Sequence, residues 1–517
     1  MLNEVKMKKN QLKMGTLLTY FQMILGVLVG LLYTPVMIRS LGQSEYGLYN
    51  TVASTISMLS ILNLGFNSSY VRYYAEYKKK EDNEAIYRLN GMFICIFTVI
   101  GLIALVCGMY LTKNLELVFS SGLTSAEYIL ARKLMLVLTV NLAISFPMSV
   151  FQSIVSANER FVFLKLLGML KTVGGPLVTL PLLLMGYRSV AMVCMTLLIT
   201  CITDVLYFVY VVVVLKNRFV FRGFDRGLLA DLFVYTSFIA INIIIDQINL
   251  NVDKVLLGRY KGTEATAVYA VGYSLYHYYS MSSTAVSSVF TPRVHHIVKQ
   301  NDNLTKRSAA LTDLFIRVGR IQFLILGLIV TGIIFFGKQF IVLWAGAEYT
   351  DAYYVLLLLS IPATVPLIQN TGIEIQRALN RHQFRSVVYL IMAIHNLVIS
   401  IFLCQRYGVV GSATGTAISF VLANGLIMNV YYHKKCEINI KLFWKEIGNM
   451  VKGLLIPFMS GWVICFVLDT KKPIGLMFAI VLYSLIYAVS MWCLGMNVSE
   501  KDLVRKPVQK VLRKLMR

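Results

Sequence analysis

Four polar side chains, Asn242, Asp246, Asn249 and Asp253, interrupt the apolar stretch "INIIIDQINLNVDKVLLG" (241–258) at i, i+4, i+7 and i+11. On a 3.6-residue helix that spacing stacks them on one face. Carboxylates placed so could bind Na⁺ or a proton, and Asp246, Asp253 and the further acid Asp204 are the candidates for ion coupling. The next apolar run repeats the pattern with Tyr269, Tyr273, Tyr276, Ser280, Ser283 and Ser287. A carboxylate at the centre of a bilayer costs roughly 2.5–3.5 kcal/mol, so the first face must line water or meet partners. Together the two stripes suggest one wall of a hydrated cavity. The competing reading is that hydroxyls and amides join neighbouring helices, as they often do in membranes.

Lys171 is the other charge inside an apolar run, beside a Gly-Gly-Pro break in "LKTVGGPLVTLP" (170–181). Breaks of this kind free backbone groups and mark binding sites in transporters. Two readings stand: a cationic binding group, or a lysine snorkelling to the interface with Lys165 nearby. Asp204 is its candidate structural partner. His277 and His395 stand alone, without a second ligand at metal spacing. There is no Walker A loop, no His-Glu-x-x-His and no Gly-x-Ser-x-Gly. ATP-driven pumping by this chain alone is thereby excluded, and neither a cofactor nor a metal is expected.

The elements that must hold these residues are transmembrane helices. Of 517 residues, 57% are hydrophobic and 14% charged, against roughly 25% charged in soluble domains. Runs near the ~20 residues that cross a bilayer fall at about 15–38, 48–66, 91–111, 134–155, 161–185, 190–215, 232–257, 267–290, 313–336, 352–375, 386–404, 409–432, 453–468 and 474–494. They are too long and too uniformly apolar for barrel strands. The expected fold is an all-α polytopic membrane protein of about fourteen helices.

The net charge of +24 raises nucleic acid as a partner, but its placement argues otherwise. With the N-terminus inside, roughly three-quarters of the lysines and arginines fall in inner segments, so the positive-inside rule puts both termini in the cytoplasm. The basic excess is then topological information and attraction to anionic membrane lipids, and no nucleic-acid role is expected. Most of the eight cysteines lie within apolar runs without a Cys-x-x-Cys pair and read as small buried hydrophobes. The basic start "MLNEVKMKKNQLK" precedes a run too long for a signal peptide and is expected to be retained as the first helix.

A faint internal repeat divides the chain. "LGQSEYGLYN" (41–50), after the first run, is answered by "LGRYKGTEATAVY" (257–269), after the seventh. Residues 1–215 and 229–433 therefore read as two pseudo-symmetric six-helix bundles joined by the basic linker "KNRFVFRGFDRGL" (216–228). An extra helix pair and a basic cytoplasmic tail occupy 434–517. Such repeats build many secondary transporters.

The stretch "YTPVMIRSLGQSEYGLYNTVASTISMLSILNLGFNSSYVRYYAEY" (33–77) resembles the N-terminal signature of the polysaccharide-unit flippases, a branch of the multidrug/oligosaccharidyl-lipid/polysaccharide exporter superfamily. Thr34-Pro35, Leu41-Gly42, Tyr46-Gly47-Leu48, Leu64-Gly65 and Arg72-Tyr73 carry the likeness, and "DKVLLGRYKGTEATAVYAVGY" (253–273) resembles the junction of helices 7 and 8 in the same family. The resemblance implies a V-shaped pair of bundles around a central cavity bordered by helices 1, 2, 7 and 8. It also implies alternating access moving a polyprenyl-diphosphate-linked oligosaccharide from the inner to the outer leaflet of a bacterial cytoplasmic membrane. A polysaccharide polymerase and assembly proteins are candidate partners. The diphosphate would require cations: Lys171 first, then Arg39, Arg72, Lys254 and Arg259, with Arg39, Arg72 and Arg259 readable equally as interfacial anchors.

The rival readings are an ion-coupled drug/cation antiporter of the same superfamily, a sporulation or peptidoglycan-precursor flippase, and a membrane-embedded polysaccharide polymerase or acyltransferase. The signature at 33–77 argues against the antiporter. The extra helix pair is shared with the precursor flippases. The enzyme would need a large outer loop or a histidine-centred cluster, and the chain has neither.

Overall fold

The computed structural model describes residues 2–120, 123–224, 226–300 and 303–515, with the side chains of 2–10, 12, 13, 226, 230, 233–235, 238, 504, 507, 508 and 510–515 outside the description. Asp225 of the expected linker also lies outside it. In chain order the helices are α1 (Leu2–Leu41), α2 (Gln43–Met58), α3 (Phe66–Lys79), α4 (Asn83–Lys113), α5 (Ser125–Ala157), α6 (Phe161–Met169), α7 (Gly175–Leu184), α8 (Ser189–Val209), α9 (Arg226–Tyr260), α10 (Thr263–Gln300), α11 (Leu304–Trp344), α12 (Ala352–Ile368), α13 (Thr371–Ala378), α14 (Gln383–Phe420), α15 (Asn429–Lys435), α16 (Ile440–Val451), α17 (Leu455–Val467), α18 (Pro473–Ser490) and α19 (Val498–Leu515). No strand occurs among the described residues. That is the outcome hydrocarbon imposes on segments that must satisfy their backbone internally.

Each of the fourteen apolar runs is mostly helical, with turns interrupting 48–66 at Leu64–Gly65 and 352–375 at Gln369–Asn370. Among the described residues, nine helical stretches are long and apolar enough to cross a bilayer. They become ten if α12 and α13, bent by 42°, form one broken span. One stretch, 383–435, holds two of the sequence runs, because Gly408 at φ 58° and ψ −129° breaks the helix between them. On α1, Leu17, Phe21, Ile24, Leu28 and Leu32 are exposed at intervals of three and four residues, a continuous apolar stripe suited to acyl chains. The chain is an all-α, multi-pass membrane protein.

Helix starts are set by ordinary caps. Thr124 and Glu127 make a reciprocal capping box at α5, while Asp82 accepts from the Ala85 N–H at 2.9 Å at α4. Tyr70, Phe93 and Phe97 pack in the core of the α3–α4–α5 region, with Tyr70 edge-on to Phe93 at 5.1 Å. The linker is bound rather than loose: Val220 donates to the Tyr87 carbonyl at 3.0 Å and Asn90 to the Arg218 carbonyl at 3.0 Å.

Two compact units result, residues 1–270 with 397–412, and 271–396 with 413–517. They do not coincide with the expected bundles 1–215 and 229–433: α9 and the start of α10 pack within the first unit. The reason is local. A Cβ on Gly47 of α2 would overlap the Thr263 carbonyl, and one on Gly258 of α9 would overlap the Thr51 side chain, so paired glycines bring these backbones close. In the second unit, Phe315, Tyr432 and Phe443 centre the core. There the buried Arg320 of α11 binds both oxygens of Glu500 at 2.6 and 3.0 Å and Glu446 at 3.1 Å, fixing the start of α19.

Candidate functional site

The two repeat motifs meet each other. Ser44 and Thr263 place their hydroxyls 3.3 Å apart, and Thr51 donates to Thr266 at 3.2 Å. Ser44 also hydrogen-bonds Glu127 of the α5 capping box, and Thr263 donates to the same oxygen at 3.4 Å. Beside this clasp, Glu45 accepts from the Ser189 backbone at 2.9 Å and hydroxyl at 2.6 Å, and pairs with Arg188 at 2.9 Å. The polar hairpin 38–50 is thus a fastening between helices, with glycine supplying the approach and hydroxyls the bonds. Sequence reasoning missed Glu45; its only signal was an acid inside that hairpin.

The stripe on α9 divides. Asn242 and Asp246 are exposed and Asn249 is half-buried. Asp253 is only 5% exposed, its two oxygens accepting from Tyr269 at 2.6 Å and from Ser412 at 2.7 Å. Tyr269 is 1% exposed. Asp253 and Tyr269 therefore line no open space, contrary to the sequence expectation. A buried carboxylate is held most cheaply by charge-assisted hydrogen bonds, and these two hydroxyls supply them. Lys254, half-buried, follows Asp253 on α9.

The stripe on α10 also divides. Tyr273 and Tyr276 are half-buried and stand edge-on at 5.8 Å. Ser280 bonds the His277 carbonyl of its own helix at 2.8 Å. Ser283 donates to Leu367 at 2.7 Å and accepts from Gln322 at 2.9 Å, and Ser287 accepts from Asn370 at 3.2 Å. Ser283 and Ser287 join helices, the alternative that the sequence left open, whereas Ser280 bonds within its own.

Lys171 occupies a π-helical turn, Leu170–Gly174, between α6 and α7. Its ammonium lies 3.3 Å from Asp204 Oδ1, the pairing expected from the sequence. The lysine side chain is 41% exposed and the aspartate 10%, and Asp204 Oδ2 is buried without a hydrogen bond. Arg39 and Arg72 are exposed, Arg72 against the Tyr73 ring at 5.8 Å. Arg259 bonds the Leu117 carbonyl, while its own carbonyl accepts from Ser120 at 2.7 Å, so it pins the segment after α4. Lys171 and Asp204 come together.

Two named proteins resemble the chain in sequence, and two solved structures resemble it in fold. Over 128 residues the chain is 29% identical to "Probable low-salt glycan biosynthesis flippase Agl15" of Haloferax volcanii. That match spans 24% of this chain and about a quarter of the relative, 26%. It is 19% identical over 413 residues, 77% of this chain and 92% of the relative, to a Shigella flexneri protein named "Putative O-antigen transporter". Its fold resembles the lipid II flippase MurJ in an inward closed conformation, with TM-score 0.70, 17% identity and coverage of 95% of this chain and 99% of that one. An inward-facing multidrug transporter of the MATE family follows at TM-score 0.57 and 15% identity, covering 82% of this chain and 99% of that one. At such identities the two structural likenesses establish the fold alone. The sequence profile of the family described as "Polysaccharide biosynthesis protein" matches residues 12–298, more than half of the chain, and to that family the protein belongs.

Proposed function

We propose that this chain is a transporter, not an enzyme, and that it moves a lipid-linked oligosaccharide, carried on a polyprenyl diphosphate, from the inner to the outer leaflet of a bacterial cytoplasmic membrane. It works by alternating access, serves cell-surface polysaccharide export, and keeps both termini in the cytoplasm. The observation that carries this reading is the exposed pair Asn242 and Asp246, one turn apart in the isoleucine- and leucine-rich stretch 239–257 of α9. A buried sugar hydroxyl without a partner costs several kcal/mol (roughly 2–7), so a glycan needs a wet, hydrogen-bonding path while its lipid stays in the bilayer. The names of the two relatives support the substrate class. Lys171 is the proposed first contact for the diphosphate, exchanging the Asp204 carboxylate for a phosphate oxygen. Return of the empty cationic site toward a negative interior is worth ~2.3 kcal/mol per charge per 100 mV.

Deleting the gene should make lipid-linked sugar accumulate on the inner leaflet, and an unchanged pool would sink the proposal. In reconstituted vesicles, Asp246→Asn should alter the dependence of transport on ion gradients with little effect on stability. Asp253→Asn should lower stability instead, by about 1.5–3 kcal/mol for each weakened charge-assisted bond. Equal transport by Asp246→Asn and the native chain, with and without gradients, would remove Asp246 from coupling.

A further inference from the structure

A cavity lies wholly within the unit formed by 271–396 and 413–517. It encloses about 190 Å³ and is lined by Tyr276, Gln369, Arg385, Tyr389, Phe420 and Asn424 among others. Two irregularities of the backbone make it. The α12–α13 span bends by 42° at Gln369–Asn370, just after Pro366. Opposite, Val421–Met428 is wound as a π-helix, which carries Asn424. Broken spans and π-turns cost helix hydrogen bonding and recur at functional sites.

The chemistry of the lining is specific. Arg385 carries the one formal charge among the lining residues and no carboxylate lines the cavity. Its guanidinium sits 4.6 Å from the Tyr389 ring centre, and the Tyr389 hydroxyl bonds Asn424. Tyr276 and Phe420 place their ring centres 6.3 Å apart along another wall. Gln369 is 2% exposed: its amide nitrogen donates to Asn429 at 2.8 Å, while its oxygen is buried without a partner. The lining thus offers a cation for a negative group and aromatic faces for the C–H bonds of a ring. The volume falls below the ~300–1,000 Å³ of drug-sized sites, which limits the occupant to one small unit.

We infer that this cavity binds a single anionic sugar, with its negative group on Arg385 and its ring against Tyr276 and Phe420. The choice of a sugar rests on the proposed glycan transport; the choice of an anion rests on Arg385. Two sources share this chemistry, a sugar phosphate and a hexuronate.

The test is binding to the full chain in lipid nanodiscs, by calorimetry and by saturation transfer to the sugar protons, with glucose 1-phosphate, glucuronate, glucose and glycerol 3-phosphate. At least one anionic sugar should bind, and glucose and glycerol 3-phosphate should bind at least tenfold more weakly. Arg385→Gln should reduce the anionic affinity at least tenfold, Arg385→Lys less, and Tyr276→Ala should weaken saturation of the ring protons. Binding of glucuronate alone would place an acidic residue of the glycan here; binding of glucose 1-phosphate alone would place the phosphate-bearing unit. Unchanged affinity in Arg385→Gln, or glucose or glycerol 3-phosphate matching the anionic sugars, would overturn the inference. Loss of the lipid-linked sugar phenotype with binding intact would strike the transport reading instead, so the two fail separately.

Discussion

Within the Lys171–Asp204 pair the two members are unequally placed, and that asymmetry predicts unequal mutants. Asp204 is the buried partner at 10% exposure, whereas Lys171 keeps 41%. Asp204→Asn leaves an ammonium that water can still reach, and its cost should stay near the ~0–1 kcal/mol of a screened pair. Lys171→Met leaves a buried carboxylate without its counter-charge. Its cost should approach the lower end of the ~3–5 kcal/mol known for broken buried pairs. The double variant Lys171→Met/Asp204→Leu should recover most of that stability, because no charge is left to desolvate. Thermal unfolding in detergent reads these differences, and equal costs for both single variants would contradict the argument. Transport separates structure from function: if Lys171 meets the diphosphate, the stable double variant still fails to move lipid-linked sugar. Full transport by the double variant would confine Lys171 to a structural role.

At the scale of elements, the clasp between α2 and the α9–α10 corner is held by backbone approach at two glycines. The Thr263 carbonyl cannot yield to a Cβ as a flexible side chain could, so Gly47→Ala should separate the two helices locally. If opening and closing of this clasp belongs to the transport cycle, a covalent lock should arrest it. Ser44→Cys with Thr263→Cys puts two thiols where hydroxyls now lie 3.3 Å apart. Oxidation should stop transport and dithiothreitol should restore it; continued transport by the fully crosslinked protein would show that the clasp never opens. Both motifs are legible in the sequence as a repeat, yet their contact is not, since sequence spacing fixes faces and not inter-helix distances. The same limit explains the polar stripes. Periodicity puts Asn242, Asp246, Asn249 and Asp253 on one face, but the crossing of α10 and the turn at 408–412 decide that Asp253 is sealed by Tyr269 and Ser412 while Asp246 stays exposed. The Arg385 cavity was illegible for a further reason, because a π-turn and a helix bend leave no period to read.

Across the whole molecule, charge is the feature on which the proposed orientation rests. All-α class and multi-pass architecture follow from composition alone, since few sequences this apolar have another way to satisfy their backbone. Direction is a subtler matter, set by where lysine and arginine fall between spans, each worth about 1 kcal/mol near an anionic surface. The basic α19 adds to that bias, and it is fastened to the second unit, because its Glu500 accepts from the buried Arg320. The orientation proposed above puts the α3–α4 corner and the α13–α14 corner on the cytoplasmic face, and the α7–α8 and α17–α18 turns outside. Cysteines at Lys80 and His382 should therefore resist a membrane-impermeant maleimide in intact cells and react after permeabilisation. Those at Tyr187 and Lys471 should react at once. The exposed Cys493 is first replaced by serine to silence the background. The reverse pattern would invert the chain and with it the direction of export, since a cationic site drawn inward by the potential returns empty only if the cytoplasm lies on the lysine-rich side. Labelling of both groups together would mean that the spans had been paired wrongly, and would undo the positive-inside argument without touching the fold.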